Sequence, residues 1–125
     1  MTDNKSADIL NNVLETLIDS THGYEKAAEI AERPTYKNFF SRRAASRRAM
    51  AAAVRNEITQ LGGTSDTDGT ILASAHRVFM GLSAAMQDND EAAINAVETG
   101  EEHLRKKFED ALGNDDLTGS AKTLL

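Results

Sequence analysis

Four side chains in this 125-residue sequence have the chemistry to share one ligand: Glu25, His76, Glu98 and Glu101. Carboxylate and imidazole together suit iron, manganese or zinc. Glu101 is the most informative of the four. From Ile94 to Leu112, apolar residues fall at Ile94, Val97, Leu104, Phe108 and Leu112, the three- and four-residue spacing of one helix face. Glu101, beside Gly100, lies in line with Val97, Leu104 and Phe108, so a carboxylate points toward where a core belongs. A buried carboxylate without a partner is costly, and it must be protonated, paired or bound to a cation.

Two explanations compete for it. In the first, Glu25, His76, Glu98 and Glu101 hold a transition metal. Helix bundles that carry two metals use a Glu on each of two helices and Glu-x-x-His on each of the other two. This sequence has no Glu-x-x-His; Glu102 and His103 are adjacent and diverge by about 100° on a helix. The segment that ought to carry two ligands carries Arg43 and Arg47 instead, and a guanidinium stays charged and repels a metal cation. In the second explanation, Arg47 pairs with Glu101 or Glu25, and His76 hydrogen-bonds into the same buried polar network. Such a network specifies which helix faces which while adding little net stability. The residue types favour the second explanation.

Other chemistries find no support. Cysteine is absent, which removes disulfides, thiolate metal sites and a Cys nucleophile. Ser46, Ser74 and Ser83 sit in helical patterns without the strained turn of a nucleophile elbow. There is no phosphate loop and no dinucleotide fingerprint. The stretch GGTSDTDG, residues 62–69, is acidic like a calcium loop but lacks the twelve-residue pattern and its closing Glu. The formal charge of −6 disfavours nucleic acid as a partner. No apolar run approaches the ~20 residues of a membrane span, and the polar N-terminus has no signal-peptide core. A cytoplasmic location is expected.

The elements that position these residues are helices. A single Pro, no Trp and many Ala point to an all-α chain. The first predicted helix runs from about Ser6, as N-cap, to Glu32, with Leu10, Val13, Leu14, Leu17, Thr21 and Tyr24 on one face. Arg33-Pro34 ends it. The second runs from Thr35 to Leu61, with Phe40, Ala44, Arg47, Ala51, Val54 and Ile58 inward and Gly62-Gly63 as the stop. The third runs from about Thr70 to Gln87 with His76 on its apolar face, and the fourth begins at Asp90 as its cap and ends before Gly113. Residues 33–61 hold seven of the fourteen basic residues and one acid, Glu57, whereas the fourth helix is acidic at Glu91, Glu98, Glu101 and Glu102. Charge complementarity between these helices is the simplest explanation, and a separate anion-binding face on the arginines is the alternative.

The stretches LNNVLETLIDSTHGYEKAAE, FFSRRAASRRAMAAAVRNEITQLGG, ASAHRVFMGLSAAM and AVETGEEHLRKKFEDAL together resemble the bacterial domain-of-unknown-function 2383 family. The likeness covers about Leu10 to Leu112, and its most distinctive points are His76-Arg77 and Gly100-Glu101. The resemblance implies a ferritin-like four-helix bundle with no established catalytic activity, and a bacterial stress setting. It also implies a further helical segment beyond the polar-to-apolar tail at 114–125. The likeness to true ferritins and rubrerythrins lies in architecture: Glu25 and Glu98 or Glu101 fit their carboxylate positions, and the ligands of the second helix have no match.

The expectation is therefore an antiparallel up-down four-helix bundle over residues 1–113. It is expected to be non-catalytic and to act through self-association or a protein partner, with Tyr36, Phe39 and Phe40 and the apolar tail as contact surfaces. The alternative is a ferritin-like metal-binding or redox protein with a degenerate carboxylate and histidine site.

Overall fold

A Pro at position 34 decides how the chain folds back on itself. Arg33 is held extended at φ −78° and ψ 132°, as the residue before Pro must be, and Pro34 opens the next helix where its missing N–H costs nothing. The computed structural model describes residues 2–64, 90–114 and 119, and over these the chain is all-α: α1 spans Thr2–Ile30, α2 Pro34–Gln60 and α3 Asp90–Leu112. The α3 helix is the fourth of those expected from sequence. The expected helix over Thr70–Gln87, with His76, lies outside the described residues, as does the tail from residue 115 apart from Gly119.

The short turn Ala31–Arg33 makes α1 and α2 antiparallel, and α1 packs against both α2 and α3. The α3 helix begins where α1 ends. The Asp90 carboxylate accepts the backbone N–H of Glu32 at 2.7 Å and of Arg33 at 3.3 Å, and it pairs with the Arg33 guanidinium at 3.4 Å. Sequence reasoning assigned Asp90 to capping its own helix. It ties the α1–α2 turn to the start of α3 instead. Thus α3 runs antiparallel to α1 and parallel to α2.

Other boundaries moved as well. Ser6, the expected N-cap, lies inside α1 and is buried. The apolar stripe that follows it carries the helix past the capping residue. At the far end of α2, Gly62 takes φ 81°, a left-handed conformation that suits glycine. The N–H of Gly62 bonds to the Thr59 carbonyl and that of Gly63 to the Ile58 carbonyl, which closes the helix as a Schellman motif. Gly63 is held for a second reason: a Cβ there would lie 2.6 Å from Ala7 Cβ.

The core forms two clusters. One joins Leu10, Val13, Leu14 and Leu17 of α1 to Ala51, Val54 and Ile58 of α2 and Leu104 and Ala111 of α3. The other joins Tyr24, Ala27 and Ala31 to Phe40, Ala44 and Ala93. Leu112, placed on the inward stripe by its spacing, is exposed, and Ala111 takes the inward position. Of the aromatic trio at the start of α2, only Phe40 is buried, while Phe39 is 46% exposed. None of the described helices is long and apolar enough to cross a membrane.

Candidate functional site

The two clusters meet at a polar waist built from all three helices. The α2 stripe presents Arg43 and Arg47 one turn apart, the α3 stripe presents Glu101, and α1 supplies Tyr24 beneath them. Arg47 grips Glu101 with two nitrogens. Its Nη2 lies 2.8 Å from Oε1 and 2.8 Å from Oε2, and its Nε donates to Oε1 at 3.2 Å. Arg43 Nη2 stands 3.9 Å from Oε2 of the same carboxylate. The Arg47 side chain is 12% exposed and that of Glu101 33%, so water reaches the acid more than the base. The third Arg47 nitrogen, Nη1, approaches Met50 Sδ at 3.3 Å.

Tyr24 is the platform for both guanidiniums. Arg43 lies 5.8 Å from its ring centroid and Arg47 5.9 Å, within cation–π range. Burial pushes the Tyr24 phenol above its ordinary range; Arg43 opposes this, and the nearby Glu101 carboxylate reinforces it. The sign of the consequence follows from proton binding. Above about pH 10 the unfolded chain releases its phenolic proton before the folded chain does, so the contribution of Tyr24 to stability, present at neutral pH, is lost as pH rises. Urea unfolding between about pH 9 and pH 11 is expected to show a fall in midpoint that Tyr24→Phe reduces. An identical fall in both proteins would contradict this.

A groove of about 660 Å³ opens over the waist, lined by Tyr24, Arg47, Val97, Glu101, Leu104 and Phe108, with Glu98 at its rim. Of the residues that sequence reasoning grouped as metal ligands, Glu98 and Glu101 line this groove and Glu25 does not. Glu25 faces outward and pairs with Arg48 at 3.3 Å. Glu98 is exposed. Glu101 is held by Arg47. His76 lies outside the described residues. Among the described residues there is no group of three or more His, Asp or Glu placed to hold a metal ion. Among the described residues, Glu101 stands beside two fixed positive charges, Arg43 and Arg47, which oppose a cation at that carboxylate.

Thr21, on the inward face of α1, donates its hydroxyl to the Leu17 carbonyl at 2.9 Å. His22 is half-buried and His103 is exposed. Sequence reasoning missed the part Arg43 plays, although its position four residues before Arg47 puts it on the same face of α2.

No curated protein and no solved structure matches this chain. One family profile does, that of the domain of unknown function DUF2383, over residues 5–114. That span takes in nearly all of α1, the whole of α2 and α3, and every residue of the waist; the chain belongs to the DUF2383 family.

Proposed function

We propose that this chain is a four-helix bundle of ferritin-like architecture whose centre is salt-bridged, and that it acts by association with a second copy or a protein partner and not by catalysis. The observation that carries this reading is the Arg47–Glu101 pair. The inward carboxylate on α3 has both oxygens engaged by a guanidinium, whereas metal-binding bundles leave their inward carboxylates to the metal.

Two further observations support it. The α2 and α3 helices start at the same end of the molecule, so Thr64 and Asp90 lie about the length of α2 apart, about 40 Å. In the sequence, Leu72, Ala75, Phe79, Leu82 and Met86 are spaced as one apolar helix face, and the proposed fourth helix rests on that spacing. For association, the large apolar side chains exposed among the described residues are Phe39 and Leu112. Phe39 belongs to the aromatic cluster at the start of α2, edge-on to Phe40 at 5.7 Å.

Elemental analysis after incubation with iron, manganese and zinc, combined with light scattering on a sizing column, tests both halves. The expected result is a dimer or larger species with metal well below one equivalent. Stoichiometric metal that resists dialysis would overturn the salt-bridged centre. A strict monomer at high concentration that also captures no partner would overturn the association.

A further inference from the structure

Sharing no lining residue with the groove over Glu101, a smaller recess of about 260 Å³ lies in the seam between α1 and α2. We infer that this recess is a binding site for a small tetrahedral oxyanion, phosphate or a phosphate monoester, held between Arg48 and Arg55.

The seam is shaped by spacing. Arg48, Ala51, Ala52 and Arg55 follow one another at intervals of three, one and three residues, which places all four on one strip of α2. The two alanines leave the floor open. The arginines stand two turns apart, about 10.5 Å along the axis, and both line the recess. His22 and Glu25 of α1 form the opposite wall.

Charge then selects the ligand. Arg55 carries a permanent positive charge, and among the described residues no carboxylate lies within ion-pair distance of it. Its Nε is buried and has no hydrogen-bond partner. A charged donor in that state is costly, and an oxyanion would satisfy it. Arg48 does have an acid, Glu25 at 3.3 Å, but their side chains are 61% and 46% exposed. An ion pair so open to water is weak and releases its guanidinium readily. Glu25 therefore competes with the ligand for Arg48.

Size and overall charge narrow the class. The recess falls below the ~300–1,000 Å³ of pockets for drug-sized ligands, so it takes one compact anionic group. A net charge of −6 repels an extended polyanion at long range while leaving a local cationic recess open to a small one. The guanidinium fork matches a tetrahedral oxyanion better than it matches a monovalent halide.

Calorimetric titration of the full chain with inorganic phosphate at low ionic strength tests the site, with chloride at matched ionic strength as the reference. Wild-type protein is expected to bind one equivalent. Arg55→Gln is expected to weaken binding by about tenfold, and Glu25→Gln to tighten it several-fold by freeing Arg48. Arg42→Gln, which removes a charge of the same sign outside the recess, is expected to leave the affinity unchanged. Circular dichroism confirms that each variant folds. A second titration with glycerol phosphate identifies the source of the anion: tighter binding points to an organic monoester and weaker binding to free phosphate, and either order supports the site. Absence of phosphate binding in both wild type and Glu25→Gln would overturn the inference, as would equal weakening by Arg55→Gln and Arg42→Gln.

Discussion

Arg47→Met is expected to destabilise the fold by about 2–3 kcal/mol, with a fall in melting temperature of roughly 10 °C. The substitution leaves Glu101 at the waist without the guanidinium that engages both of its oxygens at 2.8 Å. Removing one partner of a fully buried pair costs about 3–5 kcal/mol. The lower figure applies here because Glu101 is 33% exposed and water takes up part of the charge. Arg43, 3.9 Å from Oε2, takes up a further part.

The double variant Arg47→Met/Glu101→Leu separates the penalty of a stranded charge from the net value of the pair. It replaces both partners with apolar side chains and is expected to recover most of the loss, because a desolvated ion pair contributes little beyond the cost of burying it. Urea unfolding of wild type, both single variants and the double variant completes the cycle. If Arg47→Met unfolds at the wild-type midpoint, the waist does not hold the helices together.

Phe40→Ala is expected to cost more, about 3–5 kcal/mol, a large share of the 5–15 kcal/mol that keeps a domain of this kind folded. Phe40 is 2% exposed and central to the aromatic cluster. Tyr24 lies 6.2 Å away across the α1–α2 interface, Tyr36 6.3 Å and Phe39 5.7 Å, all within range of favourable ring contacts. Truncation opens a cavity that the short Ala27, Ala31 and Ala44 side chains around it cannot fill. It also removes support from Tyr24, on which Arg43 and Arg47 rest, so the waist is expected to loosen along with the cluster. Denaturant midpoints measure the loss, and near-ultraviolet circular dichroism reports the tyrosine environment. An effect below about 1 kcal/mol would mean that the cluster repacks around the missing ring.

The two variants probe different levels of the same design. Phe40 acts through apolar burial, which is non-directional and tolerates small shifts. Arg47 acts through a fork that must meet one carboxylate at a fixed height. The first supplies stability and the second specifies which face of α3 turns toward α2.

How much of this was legible in advance depends on the range of the interaction. Helical period is local, and it was enough to put Glu101 in line with Val97, Leu104 and Phe108; it put Arg47 in the α2 stripe, but beside the Ala-rich run at 49–53 the phase of the helix left open whether that side chain faces inward. Proline and glycine chemistry is also local, and it located the breaks at Arg33-Pro34 and Gly62-Gly63. Periodicity was weakest at helix ends and edges, where a rotation of a few tens of degrees moves a residue from core to surface. There Ser6 turned from cap to core, Leu112 gave its inward position to Ala111, and Glu25 swung out to Arg48.

By itself, then, the sequence determined that the chain is helical, roughly where the described helices begin and end, and that α3 carries one inward carboxylate. Those properties follow from residue type and from neighbours within a turn or two. The sequence named Arg47 among the partners open to that carboxylate, and the tertiary structure decided that Arg47 meets it. Arg47 and Glu101 are 54 residues apart, and their meeting depends on the relative height and rotation of two helices that both pack on α1. The same holds for Asp90, whose bonds to the Glu32 and Arg33 backbone span 58 and 57 residues. Register between distant helices is the sum of many packing contacts, and no short stretch of sequence contains it.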